Sequence, residues 1–134
     1  MKASVSRSIP APPESVWAVI SDPNRHLRTL PSSVSEAQVF DSGEIGCVVS
    51  AMGRSERMRV RRTVLEPPRR LVEERVDGTR AGRTEFLIEP EGSGSRVTLT
   101  AEIELPRLVA AVAKGPVEHG LRQQLDGLAR EAGV

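Results

Sequence analysis

Residues 2–9 alternate Ala3, Val5, Arg7 and Ile9 with Lys2, Ser4, Ser6 and Ser8, the two-residue period of a half-buried strand. Pro12-Pro13 ends that pattern and suits the first turn of a helix, where a missing N–H costs nothing. Val16, Trp17, Val19 and Ile20 then give the following turns an apolar side. Asp22-Pro23 closes this helix or opens a second one with Asp22 as its N-cap. From there to residue 105 the pattern predicts six strands: Val34 to Phe40, Ile45 to Met52, Arg57 to Leu65, Leu71 to Val76, Arg83 to Glu89 and Arg96 to Leu105. Gly43, Gly53-Arg54-Ser55, Pro67-Pro68, Asp77-Gly78 and Gly92-Ser93-Gly94 separate them, and connections this short make an antiparallel meander. The last segment, Pro106 to Ala132, carries Val117, Leu121, Leu125, Leu128 and Ala132 on one helical stripe. Gly115-Pro116 predicts a kink or a fresh start near Lys114, because a proline inside a helix costs about 3 kcal/mol. A curved seven-stranded sheet with one apolar face is the partner large enough to cover that stripe. The expected architecture is therefore α+β: a single domain over residues 1–134, with an antiparallel sheet wrapped around a long C-terminal helix and two short helices after the first strand.

Pairing arithmetic then predicts which side chains face the helix. Across Pro67-Pro68, one register sets Val64 opposite Val72, Arg62 opposite Glu74 and Val60 opposite Val76. The next hairpins set Glu74 opposite Thr84, Val72 opposite Phe86, Ile88 opposite Val97, Phe86 opposite Leu99 and Thr84 opposite Ala101. The inner face would then hold Val60, Val64, Val72, Val76, Phe86, Ile88, Val97, Leu99, Ala101 and Ile103, with Arg62, Glu74 and Thr84 as a polar patch in its middle; a slip of one residue would turn all of them out. Such a patch is the pattern's candidate for ligand orientation, since apolar pockets fix their ligand with a few convergent polar groups. A buried guanidinium beside a carboxylate can bind a ligand carbonyl, phenolate or carboxylate, or polarise a carbonyl during a ring closure. The competing reading is a cross-strand ion pair that satisfies only itself.

The opening segment Ser8 to Pro23, the stretch Leu27 to Pro31, the turn Glu66-Pro67-Pro68-Arg69-Arg70-Leu71, the hairpin Glu89 to Leu99 and the closing apolar helix together resemble the START/major-pollen-allergen helix-grip superfamily (SRPBCC), in its polyketide cyclase/dehydrase-like branch. The resemblance covers nearly the whole chain and implies a helix-grip fold with a cavity between sheet and helix. It does not imply one reaction, because the group mixes ligand carriers and cyclases. Together with the inner face of the register, it gives an expected lining of Leu27 and Leu30 after the short helices, Val60, Val72, Phe86, Leu99, Ala101 and Ile103 on the sheet, Val117, Leu121 and Leu125 on the helix, and the polar Arg62, Glu74 and Thr84. Cyclases of this group use inward arginine, serine, threonine or tyrosine, and this chain has no tyrosine. Three readings follow: a binder of a small hydrophobic, lipid-like or polyketide-like molecule; a polyketide cyclase or aromatase, with Arg62 polarising a carbonyl and Glu74 or His26 moving protons; and a protein-interaction module. Met52, Met58 and Phe86 are large enough to fill the cavity.

Composition narrows the partners. Nineteen basic and eighteen acidic residues leave a formal charge of +1, so no global field favours nucleic acid or membrane. Of the basic run Arg54, Arg57, Arg59, Arg61 and Arg62, the alternation puts Arg57, Arg59 and Arg61 on the outer face, without the interleaved aromatics of a nucleic-acid platform. Met1-Lys2-Ala3-Ser4 has no apolar signal core, the longest apolar run is Leu108 to Ala113, and the single Cys47 excludes an intramolecular disulfide; the expected place is the cytoplasm. His26 and His119 lie far apart and give no metal-ligand spacing, and no phosphate loop, G-x-G-x-x-G or G-x-S-x-G is present, so neither metal nor cofactor is expected. His119 falls on the side of the last helix away from its stripe, and His26 falls near the cavity mouth beside Leu27, where a surface histidine is the bland alternative to a base. The oligomeric state is left open.

Overall fold

The computed structural model describes residues 1–51, 53–78 and 80–133. The alternating first segment forms β1 (Lys2–Ile9), followed by α1 (Pro13–Ser21) and α2 (Pro23–Leu27). The Asp22 side chain caps α2, accepting from the backbone N–H of Asn24 at 3.0 Å and of Arg25 at 3.5 Å, while Pro23 occupies the first turn, where no donor is needed. Six further strands follow: β2 (Val34–Val39), β3 (Ile45–Ala51), β4 (Arg54–Glu66), β5 (Arg70–Arg75), β6 (Gly82–Glu91) and β7 (Gly94–Ile103). Met52, where the third expected strand was to end, lies outside the described residues.

All pairings are antiparallel, and the order β1-β7-β6-β5-β4-β3-β2 puts β1 and β2, consecutive in the chain, at opposite edges of the curled sheet, with β1 added alongside the last strand of the meander. The final helix, α3 (Arg107–Glu131), lies on the concave face and packs chiefly on β1, β7 and α1. Leu121, Leu125, Leu128 and Ala129 of α3 join Phe86, Ile88, Val97 and Leu99 of the sheet and Val16, Val19 and Ile20 of α1 in one apolar core, with Trp17 and Val117 packed against it. Close approach at the far end of α3 depends on Gly127, where an added Cβ would meet the Thr29 backbone oxygen at 2.8 Å. No fresh helix start occurs near Lys114: α3 is continuous through Gly115-Pro116. Proline there deprives the Val112 carbonyl of its partner, and Val112 is exposed, so water can take the place of the missing donor.

The expected register holds on one side of the sheet and fails on the other. Ile88 pairs with Val97, Phe86 with Leu99 and Thr84 with Ala101, as the alternation requires. In β4 a bulge at Thr63 changes the count: Val64 still faces Val72, but Arg62 faces Glu73 and Val60 faces Arg75. On the other side of β5, Leu71 faces Phe86 and Glu73 faces Thr84. Leu71 and Glu73 are therefore inward, whereas Val64, Val72, Glu74 and Val76 fall on the convex face. Val72 is buried yet lies outside the main core cluster, and Val76 is exposed.

Candidate functional site

The convex face is solvated and its charges are paired. Lys2 pairs with Glu102 at 3.7 Å, Arg83 with Glu74 at 3.6 Å, and Glu44 takes both Arg59 at 2.8 Å and Arg61 at 2.7 Å. Arg59 also stacks over Phe40, and Arg57 reaches Glu36 at 3.9 Å. The expected outward placement of Arg57, Arg59 and Arg61 is thus what the register produces, and Glu74 belongs with them, not with Arg62.

On the concave face Glu73 takes the place assigned to Glu74. Its side chain bridges two elements: Oε1 lies 3.2 Å from His26 Nε2 on α2, and Oε2 lies 3.8 Å from Arg62 Nε on β4. Arg62 in turn donates from Nη1 to the Ser21 backbone oxygen at the end of α1, at 2.8 Å. His26 is not a surface residue: it is 2% exposed, stands edge-on to the Phe86 ring with 5.5 Å between centroids, and sits above Thr29, whose hydroxyl donates to the His26 carbonyl. The cluster therefore ties α1 and α2 to β4 and β5 inside the protein. It is not fully satisfied, because His26 Nδ1, Arg62 Nε, Arg62 Nη2 and Glu73 Oε2 are buried without a hydrogen-bond partner. Burial pushes the Glu73 carboxyl up, but His26 and Arg62 outweigh it and hold the carboxyl below its ordinary value; burial pulls the Arg62 guanidinium down from its own.

The concave face divides at this cluster. Toward β6, β7 and β1 it is closed, since Phe86, Leu99, Ala101, Leu121 and Leu125 press on one another as core. The two cavity walls expected from these residues are in contact, and the reason is volume: the leucines of α3 fill the space opposite Phe86 and Leu99. Toward β3 and β4 it is less fully covered. Cys47 pairs with Met58 and Ile45 with Val60 on this face; Cys47, Met58 and Val60 remain half-buried, as do Val117 on α3 and Leu27 and Leu30 beside α2. Burial pushes the Cys47 thiol up, Glu73 and Asp77 push it further, and Arg75 opposes them. Thr84 lies between Glu73 and Ala101 across the strands. Ile103 lines a separate open hollow of about 630 Å³ at the sheet's end, with Glu74, Arg83 and Glu102. A second hollow, about 450 Å³, lies between Pro13-Glu14 and Pro68-Arg69. Among the described residues no group of His, Cys, Asp or Glu is placed to hold a metal ion.

A curved antiparallel sheet gripping a long C-terminal helix is the layout that the sequence resemblance implies. The match to the family model described as "Polyketide cyclase / dehydrase and lipid transport" runs over residues 1–133. The chain belongs to this family. Among solved structures, this polyketide cyclase/dehydrase and lipid transport family member is similar to TTHA0849 from Thermus thermophilus, with 23% identity and a TM-score of 0.86 over 98% of this chain and 97% of that one. It is also similar to the KanY protein (ms6282), at 18% identity and a TM-score of 0.85 over 100% of this chain and 98% of that one. DR_A0006 from Deinococcus radiodurans follows at 20% identity and a TM-score of 0.72, covering 98% and 96% of the two chains. At these identities the likeness concerns the fold. No functionally curated protein matches the chain.

Glu73 is the residue of the cluster that sequence reasoning missed. Leu71, Val72 and Glu73 are all buried, so β5 offers no alternation from which to read its inner side, and Thr63 carries no glycine or proline that would signal a bulge. A usable hint was present in β4, where Arg61 and Arg62 are adjacent and cannot both face solvent in a regular strand.

Proposed function

We propose that the protein binds a small, largely hydrophobic molecule, lipid-like or aromatic and polyketide-like, in the less fully covered part of its concave face between β3–β4 and α3. The reading is supported above all by the division of that face: closed core on one side, half-covered Cys47, Met58 and Val60 on the other, and between them buried polar atoms with unused hydrogen-bonding capacity. The apolar body of the ligand lies against Met58, Val60 and Val117, and its oxygen function points to Arg62 Nη2. A cytoplasmic place accords with the one unpaired cysteine, Cys47. Titration of labelled protein with oleate and with a flavonoid, followed by methyl and arginine NMR signals, tests this. Met58, Val60, Val117 and Arg62 Nε should shift together. Shifts confined to Arg57, Arg59 and Arg61 on the convex face would sink the proposal.

The pairing of His26 with Glu73 favours one second reading, the cyclase. If Nε2–H of His26 donates to Glu73, the ring is held with the Nδ1 lone pair free, as a carboxylate orients a general base. Nδ1 then takes a proton from the carbon next to a ligand carbonyl, Arg62 holds the enolate oxygen, the enolate carbon closes on a second carbonyl, and the resulting alkoxide recovers the proton. The test is whether the protein redirects the spontaneous cyclisation of a poly-β-ketone, with product ratios reverting in His26→Ala.

A further inference from the structure

The first half of α3 carries apolar side chains on both of its sides. Its inner side places Val109 and Ala110 half-buried and Ala113 buried against the protein. Its outer side presents Leu108, 85% exposed, and Val112, 62% exposed, one turn apart, with the exposed Ala111, Gly115 and Pro116 between and beside them. A helix apolar all round is one that expects cover on every side. Farther along, the same outer side becomes polar, with His119, Arg122, Asp126 and Arg130, so the apolar patch is confined to the helix start.

Charge identifies what covers it. Arg107 and Lys114 flank the patch, no acidic residue occurs on α3 before Glu118, and among the described residues neither cation enters an ion pair. That is unusual on this protein, where most arginines, from Arg7 through Arg96, sit beside a carboxylate. A second copy docked by the same patch would bring these unpaired cations together, an arrangement that repels. An anionic lipid surface supplies both missing partners, hydrocarbon for Leu108 and Val112 and headgroup charge for Arg107 and Lys114.

We propose that the protein docks peripherally on anionic membranes through the start of α3, with Leu108 and Val112 entering the interface and Arg107 and Lys114 on the headgroups. Among the described residues no helix is long and apolar enough to cross a membrane. The inference does not depend on what the concave face binds, because it concerns the ligand-free protein.

Flotation of the full chain with vesicles of 30 mol% phosphatidylglycerol in phosphatidylcholine, against pure phosphatidylcholine, is the test. The protein should float with the anionic vesicles and not with the neutral ones. Leu108→Glu/Val112→Glu, Arg107→Glu/Lys114→Glu and 0.5 M salt should each lower the partition coefficient by about tenfold or more. Both apolar positions are exposed, so the thermal midpoint should hold. As a readout that needs no loss of function, a polarity-sensitive dye on Leu108→Cys in a Cys47→Ser background should shift to the blue with anionic vesicles only. Absence of binding to anionic vesicles, or binding indifferent to Leu108→Glu/Val112→Glu, overturns the proposal. So does a wild-type dimer in sedimentation that this double change makes monomeric, since the face would then belong to a second copy.

Discussion

Replacing Glu73 by leucine tests the bulge, the cluster and the placement of the polar patch at once. Glu73 is 7% exposed and the Arg62 side chain 9%, so solvent screens their interaction little. Without the carboxylate, Arg62 keeps one hydrogen bond, to the Ser21 oxygen, and its charge stays desolvated with Nε and Nη2 unbonded. Breaking such a buried pair from one side costs about 3 to 5 kcal/mol. In a chain of this size that lowers the midpoint of thermal unfolding by roughly 10 to 15 °C, at about 3 °C per kcal/mol. Glu74→Leu is the control. Its side chain is 46% exposed and its partner Arg83 38% exposed, so the loss is that of a surface pair, about 0 to 1 kcal/mol. Arg62→Met/Glu73→Leu should recover much of the loss, because apolar side chains of similar volume replace the desolvated charges. About 1 to 3 kcal/mol of deficit should remain, from the unpaired Ser21 oxygen and His26. Thermal and urea unfolding of the four proteins at pH 7, followed by circular dichroism, decides. If Glu73→Leu is within about 1 kcal/mol of wild type, or Glu74→Leu costs as much as Glu73→Leu, then β4 does not bulge at Thr63 and the cluster described here does not exist.

Acid should expose the same carboxylate by a different route. The folded-state pKa of Glu73 is depressed, so its contribution to stability is present above its unfolded value and is lost as the pH falls through its folded one; the gap in unfolding free energy between wild type and Glu73→Gln should therefore narrow steadily in acid, and a gap independent of pH would refute this. Glycines along α3 should respond unequally. Gly115 has open space around its Cβ position apart from its neighbour Pro116, whose ring disfavours a helical residue with a Cβ before it and offsets the propensity gain, so Gly115→Ala should stay within about 0.5 kcal/mol of wild type. Gly127→Ala forces the helix off the Thr29 backbone and should cost about 1 to 3 kcal/mol, and equal effects in chemical unfolding would show that α3 does not seat on Thr29.

Much of the architecture was written in local pattern. The alternation of Ala3, Val5 and Ile9, the prolines opening α1, the Asp22 cap and the leucine stripe of α3 each depend on residues close in sequence, whose stereochemistry acts before any distant contact forms. The register of β6 with β7 was legible for the same reason: a tight turn at Gly92-Ser93 and unbroken alternation leave one way to pair them. Tertiary structure decided the rest. One extra residue at Thr63 shifts the inward carboxylate from position 74 to position 73, and nothing local at Thr63 marks it; the bulge exists where burying Leu71 against Phe86 and Arg62 against Glu73 outweighs a regular ladder. Burial of His26 likewise required α2 to dock on a strand far along the chain, and the closing of the expected cavity required the summed volume of side chains from several elements. Sequence determined the elements and their polarity, since these follow from period and backbone chemistry. Only packing decided which charges meet inside and which part of the concave face stays less fully covered, because both depend on the distances between segments that the chain brings together last.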